Sequence, residues 1–296
     1  MSDSSPAAPP PRVRTDHRLA AAGLMCTGML FFCVTDALAK YALSLGLSPF
    51  VVSWARYIVG LPYVLALLPV LGWRRVGHTN RAAAHVARGS LVVCSGLCFF
   101  TGLQFLALAD ATALGYTSPF FVAIMGGLLL GERVGSARWA AIAVGAVGML
   151  VIVRPGGEGI GWAAAFPVLS SFGFAGYQIL TRRVGATDAP LVSLFWQMLV
   201  GLVLTSLLLP LGWTAPDGAQ WLALLALGAA ALLGHLALTM ALTRAPAAHL
   251  APFTYSSLIW ATAIGWLAFG TAPDGWTILG GAILAATGIA VTRLKD

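Results

Sequence analysis

About ten apolar stretches, each long enough to cross a bilayer, partition this 296-residue chain, and the second five echo the first five. Spanning the hydrocarbon core takes about 20 apolar residues as α-helix, and backbone groups in lipid must bond within their own segment. The stretches fall at about 19–40, 49–71, 87–108, 111–131, 137–153, 160–181, 190–212, 219–242, 248–270 and 275–292. A unit of five spans crosses an odd number of times, so two tandem copies must lie upside down relative to each other. The expected fold is an all-α membrane protein of ten transmembrane helices in two inverted-topology five-helix repeats.

Composition agrees and excludes other classes. Hydrophobic residues make up 59% of the chain and charged residues 9%, against roughly 25% charged in an average soluble domain. The net charge of +7 does not mark a nucleic-acid binder, because the basic residues sit between apolar runs rather than in one patch with interleaved aromatics. They report topology instead. With the amino terminus in the cytoplasm, fourteen arginines and lysines, Arg88, Arg138 and Arg244 among them, fall on the inner side, and Lys40 and Arg154 alone on the outer. That asymmetry is the positive-inside pattern for an even number of crossings with both termini cytoplasmic. The expected location is the bacterial inner membrane.

Three segments follow: a disordered cytoplasmic tail over 1–18, a first repeat over 19–154 and a second over 159–296. The tail is rich in Pro, Ser and Ala. Cleavage as a signal peptide is disfavoured, since the apolar run from Leu19 to Thr35 exceeds a typical h-region and Asp36 crowds the supposed site. Cys26, Cys33, Cys94 and Cys98 all lie in spans, read as packing residues without the partners of a metal site.

The repeat is visible by eye. The run from Ser48 to Leu61 aligns without gaps to the run from Ala189 to Leu202, sharing the Pro that opens each helix and the Gly in its middle, and placing Gln197 where Arg56 stands. Spans four and nine each carry an internal proline, Pro119 and Pro252. A proline within a span removes one backbone hydrogen bond and bends the helix. Paired breaks in corresponding segments point to gating hinges, Pro119 towards the outer face and Pro252 towards the cytoplasm; a static kink that aids packing is the alternative.

Gly126-Gly127-Leu128-Leu129-Leu130-Gly131-Glu132-Arg133, then Arg138-Trp139 and the run from Gly145 to Val151, resemble the "LGER" segment and glycine-rich fifth helix of the EamA family in the drug/metabolite transporter superfamily. The opening from Phe31 to Lys40, Arg56, and the run from Tyr177 to Arg183 are similar to that family's first, second and sixth helices. The second-half counterpart of Gly-Glu-Arg departs from the pattern, as Gly270-Thr271-Ala272-Pro273. The resemblance implies a central cavity between the repeats and export of small metabolites. Within the superfamily the chain looks most like YddG-type exporters of aromatic and other neutral amino acids, and related sequences resemble carriers of S-adenosylmethionine or riboflavin.

Ionisable groups inside a span cost about 2.5–3.5 kcal/mol each on insertion scales, so they are functional candidates. Asp36 and Arg56 lie within spans at similar depth. They would supply an acceptor and a donor for a zwitterionic substrate, or they form a permanent ion pair that locks two helices. Gln104, Gln178 and Gln197 are candidates for ligand hydrogen bonds or for inter-helix contacts. His235 is a candidate proton relay, hence proton coupling, or a packed histidine. Tyr57, Tyr116, Tyr177, Trp196 and Tyr255 are candidate cavity rings, whereas Trp73, Trp213, Trp221 and Trp276 sit near span ends as interfacial anchors. Ala141 with Gly145, and Gly281 with Ala285, follow a small-xxx-small spacing suited to helix packing within the fold or in a homodimer.

Enzyme motifs are missing: there is no H-E-x-x-H, no G-x-S-x-G and no phosphate loop. No metal or cofactor is expected. An intramembrane enzyme or a pore are the competing classes, and a carrier with a small-molecule substrate working by alternating access is the expectation.

Overall fold

The computed structural model describes residues 15–71, 79, 81–130, 135–154, 161–185, 190–242, 244–245 and 247–293. Among these residues there are twelve α-helices: α1 (Thr15–Ser44), α2 (Pro49–Leu71), α3 (Ala82–Leu103), α4 (Leu108–Gly115), α5 (Ser118–Leu130), α6 (Ser136–Val153), α7 (Ala165–Gly185), α8 (Pro190–Leu208), α9 (Gly218–Leu242), α10 (Ala247–Thr254), α11 (Ser256–Phe269) and α12 (Gly275–Arg293). Six stretches are long and apolar enough to cross a membrane, among them Leu19–Ser44, Ala82–Leu103 and Leu108–Leu129. Most of the tail, Trp73, and Glu132 with Arg133 lie outside the described residues.

Three boundaries differ from the sequence expectation. Helix α1 starts at Thr15 and runs on to Ser44, past the expected 19–40. The third helix occupies 82–103 rather than 87–108: three alanines, the best helix formers, open it, and its end is set by Lys40, whose Nζ donates to the carbonyls of Leu103 and Leu106 at 3.0 and 2.6 Å. Spans four and nine are each two helices rather than one kinked helix, α4 with α5 and α10 with α11. Pro119 has no N–H to continue the ladder across the first break.

The packing is exchanged between the two halves. Helix α1 lies along α9 as α7 lies along α3, and α1 touches α11 as α7 touches α5, whereas α2 meets α8 and α6 meets α12 across the middle. Small residues bring these pairs close. A methyl group on Gly28 of α1 would stand 3.2 Å from the Gly234 carbonyl of α9, and one on Gly280 of α12 would stand 2.6 Å from the Gly148 carbonyl of α6. Of the expected small-residue faces, Gly145 packs against the Phe120 ring and Gly281 near Ala113, so the α6–α12 crossing belongs to Gly148 and Gly280 instead.

Helix α11 ends in an αL cap. Gly270 takes φ 65°, a left-handed conformation open to glycine without a Cβ penalty. Its N–H bonds to the Trp266 carbonyl at 3.0 Å and that of Thr271 to Gly265 at 3.1 Å. The glycine that in the first half belongs to Gly-Glu-Arg serves the second half as a helix stop.

Candidate functional site

Three polar clusters interrupt the apolar bundle. The first lies where α1, α2 and α9 meet. Asp36 and Arg56 act on each other electrostatically, and His235 of α9 lies within range of the same guanidinium. No hydrogen bond or ion pair joins Asp36 to Arg56; among the described residues the closed ion pair is elsewhere, between Arg154 and Asp274. Two opposite charges in an apolar bundle attract strongly, so a pair that stays apart leaves both heads available to a third group. The Phe32 ring meets His235 edge-on, centroids 4.9 Å apart.

The second cluster joins α3, α7 and α8. Tyr177 donates its hydroxyl to Oε1 of Gln197 at 2.9 Å. Gln197 stands at the place of Arg56, and the same displacement along the chain carries Asp36 onto Tyr177. The two halves thus hold corresponding pairs, one charged and open, the other neutral and closed. Tyr57, 4% exposed, packs between them with Val93 and Met198, its ring over Gly201. Trp196 stacks on His85, centroids 5.8 Å apart.

Arg88 belongs to this cluster, contrary to its expected place among the interfacial arginines. It is 1% exposed; it donates to the Ser193 carbonyl and, at 3.3 Å, to Oγ1 of Thr181, and its guanidinium lies 5.3 Å from the Tyr177 ring centre. One basic residue at the edge of an apolar run looks like a topology marker. The helix-forming alanines before it, which carry α3 a turn and a half further back, were the signal that it lies inside.

The third cluster is the meeting of the two helix breaks. Pro119 cannot donate to the Gly115 carbonyl four residues earlier; the Ser171 hydroxyl of α7 lies 2.9 Å from it, a donor shared with the Pro167 carbonyl of its own helix at 2.8 Å. At the other break Leu258 N–H turns to the Tyr255 carbonyl, at 3.0 Å, and the Thr254 carbonyl it leaves receives the Tyr116 hydroxyl. Tyr116 also bonds Oγ of Ser257, whose carbonyl accepts from Sγ of Cys33 at 3.3 Å. Tyr116 and Tyr255 stack at 4.5 Å with an interplanar angle of 29°. Each break is therefore satisfied by side chains of other helices, as a broken membrane helix requires. Pro119 lies in the first turn of α5 and Pro252 inside α10, three residues before Tyr255.

At the end of the bundle holding Lys40, a chain of charged groups links five helices. Lys40 senses Asp110 of α4 and lies 5.7 Å from the Phe269 ring centre. Oγ1 of Thr277 donates to Asp110 at 2.8 Å, the Thr277 N–H to Asp274 at 2.8 Å, and Arg154 closes on Asp274 at 2.6 Å. The Thr277 N–H, with the Arg154 charge adding to it, holds the Asp274 carboxyl below the usual carboxylate value. Asp110, between the expected spans three and four, lies in the first turn of α4, where a carboxylate suits the helix dipole.

Two expected residues stand apart. Gln104 is exposed in the turn after α3, and Gln178 is half-buried beside Tyr177. At the rims Trp213 and Trp276 are exposed, and Trp54, with Nε1 donating to Ser206 at 3.1 Å, sits edge-on to Trp213 and Trp221.

The bundle thus combines two broken helices with a charged pair, Asp36 and Arg56, that no hydrogen bond or ion pair closes. The EamA-like transporter family model matches twice, over residues 19–154 and 161–294. The chain belongs to the EamA-like transporter family. This EamA-like chain is 30% identical over 280 residues to a riboflavin transporter of Vibrio cholerae, an alignment covering 94% of each chain. It is 31% identical to a pseudopaline exporter of Pseudomonas aeruginosa, over 71% of this chain and 75% of that one. To an S-adenosylmethionine uptake transporter of Rickettsia conorii it is 24% identical, over 91% of each. It is a membrane transporter of small molecules.

Proposed function

We propose that this chain is a secondary carrier of planar, ring-bearing metabolites of the riboflavin class, working by alternating access between two inverted five-helix repeats with both termini in the bacterial cytoplasm. The observation that carries the reading is the Tyr116–Tyr255 stack. It joins the two broken helices at their breaks, each held by hydroxyls from other helices rather than by its own backbone, so that either break can open without leaving a permanent orphan. The exchanged packing of the two halves supports inversion, and the twofold family match supports duplication. Alternating access then consists of rocking one repeat against the other around a fixed site.

Cargo class rests on the relatives and on the rings. Riboflavin is what the Vibrio cholerae relative, aligned end to end, is named for, and Tyr57, Tyr177 and Trp196 line the inner seams with aromatic faces suited to a flat heterocycle. The open Asp36–Arg56 pair favours a second reading, an amino-acid exporter, because a zwitterion would satisfy both heads at once. Asp36 and His235, both within range of Arg56, are the groups proposed to couple transport to protons.

Reconstitution into liposomes tests this. Saturable riboflavin uptake, reduced by Arg56→Ala and unmoved by excess phenylalanine, is the expected result. Saturable phenylalanine flux without riboflavin uptake selects the amino-acid reading, and non-saturable flux or single-channel conductance overturns the carrier.

A further inference from the structure

A buried guanidinium is costly unless its charge and donors are matched. Around Arg88, among the described residues, every partner is neutral: the Ser193 carbonyl, the Thr181 hydroxyl and the face of Tyr177. Of the five N–H donors an arginine carries, the Nε–H is buried and has no acceptor. A second buried donor in the same state is Nε1 of Trp196. It stands on α8 one turn beyond Ser193, while the His85 ring that stacks on Trp196 stands on α3 one turn before Arg88. Both unspent donors thus belong to one seam. The large majority of buried side-chain donors are paired, so two unpaired in one seam mark a place where an acceptor is missing.

We propose that Arg88 and Trp196 form a substrate-recognition subsite in the α3–α8 seam, reading a planar group that presents paired oxygen acceptors: a ring dione or a carboxylate. This rests on the carrier reading above and names the part of the cargo recognised. A guanidinium edge and an indole N–H are both planar donors, and the Tyr177 face with the His85–Trp196 stack bounds them with flat walls. The seam is shut in this conformation. A methyl group on Gly89 would stand 2.6 Å from a Val200 methyl, so cargo reaches the donors when α3 and α8 part, as a rocking movement between the repeats requires.

The test is initial-rate uptake into proteoliposomes by wild type, Trp196→Phe, Arg88→Lys and Arg88→Gln, with riboflavin as the dione and tryptophan as the carboxylate. Trp196→Phe keeps the ring and removes one N–H, so it reports on recognition even where Arg88→Gln fails to fold. The expected result is a half-saturation concentration raised about five- to tenfold in Trp196→Phe, with the maximal rate within about twofold, and a larger rise in Arg88→Lys, whose ammonium lacks the planar fork. An effect on riboflavin identifies the dione, and on tryptophan the carboxylate. Half-saturation unchanged in both variants, or a fall confined to maximal rate and thermal midpoint, overturns the subsite and leaves Arg88 a helix lock. A wild type that carries neither compound removes the carrier reading itself, and the subsite with it.

Discussion

The hydroxyl of Tyr116 reaches across the bundle to the carbonyl of Thr254, at the second helix break. The bond answers backbone geometry: Leu258 N–H, four residues on, serves the Tyr255 carbonyl, and the Tyr116 hydroxyl brings the Thr254 carbonyl a donor from another helix. Tyr116→Phe is expected to cost about 1 kcal/mol, the net worth of a typical hydrogen bond, read as a lowered thermal midpoint in detergent. The stack itself has a separate control. Gly288 of α12 lies directly beneath the Tyr255 hydroxyl, so Gly288→Ala should push the ring off Tyr116 and slow transport even with every hydroxyl in place.

Ser171 and Pro119 are energetically coupled through the Gly115 carbonyl. Ser171→Ala alone removes that carbonyl's donor and should destabilise by about 1–2 kcal/mol. In a Pro119→Ala background the backbone regains an N–H that can serve Gly115, and the same serine substitution should cost distinctly less. Equal costs in the two backgrounds, measured by a double-mutant cycle in chemical or thermal unfolding, would show that the serine does not serve the break.

Arg56→Gln converts the first half to the residue its counterpart carries at the same place. The neutral variant keeps a donor but loses attraction to Asp36, and saturable uptake is expected to fall by an order of magnitude or more, as removal of a charged contact worth about 1.5–3 kcal/mol would produce. Stability should fall less than uptake, because no hydrogen bond or ion pair joins Arg56 to Asp36 and only their longer-range attraction is lost. A large drop in thermal midpoint with unchanged uptake would identify the pair as a structural lock.

Gly280→Ala places a methyl group 2.5 Å from Ile152 and 2.6 Å from the Gly148 carbonyl. Backbone cannot yield as a side chain can, so the crossing of α6 and α12 must widen, at about 1–3 kcal/mol. The check is a thermal midpoint lowered more than by Gly275→Ala, where nothing lies within 4 Å.

Asp274 gives the pH dependence. Its carboxyl is held below the ordinary value by the Thr277 N–H and by Arg154, so its contribution is fully present above about pH 3.8, the unfolded value, and is lost as pH falls through the lower folded value. With side chains 30% and 43% exposed, the Arg154–Asp274 pair is worth at most about 1 kcal/mol. Asp274→Asn should remove a small stability increment at neutral pH and none in strong acid.

Spans, duplication and both prolines were legible because they rest on residue type alone: apolar length, repeated Pro and Gly, and a missing N–H. So was the match of Gln197 to Arg56 along the chain. What pairs with each break was not, since Ser171 and Tyr116 are distant in sequence from the carbonyls they serve. Arg88 was misjudged for a related reason. It lies at the edge of an apolar run, where a charge looks interfacial, and only the packing of other helices over the edge turns it inward.

Lys40 holds the carbonyl end of α3, and Arg88 ties the opposite end of that helix to α7 and α8. With 22 residues, α3 is about 33 Å long, a rod fastened at each tip to a different neighbour. Such a rod cannot slide freely. In the proposed rocking of the repeats it would pivot, releasing one fastening while the other keeps hold, so that a single lever would deny the two faces of the protein simultaneous opening.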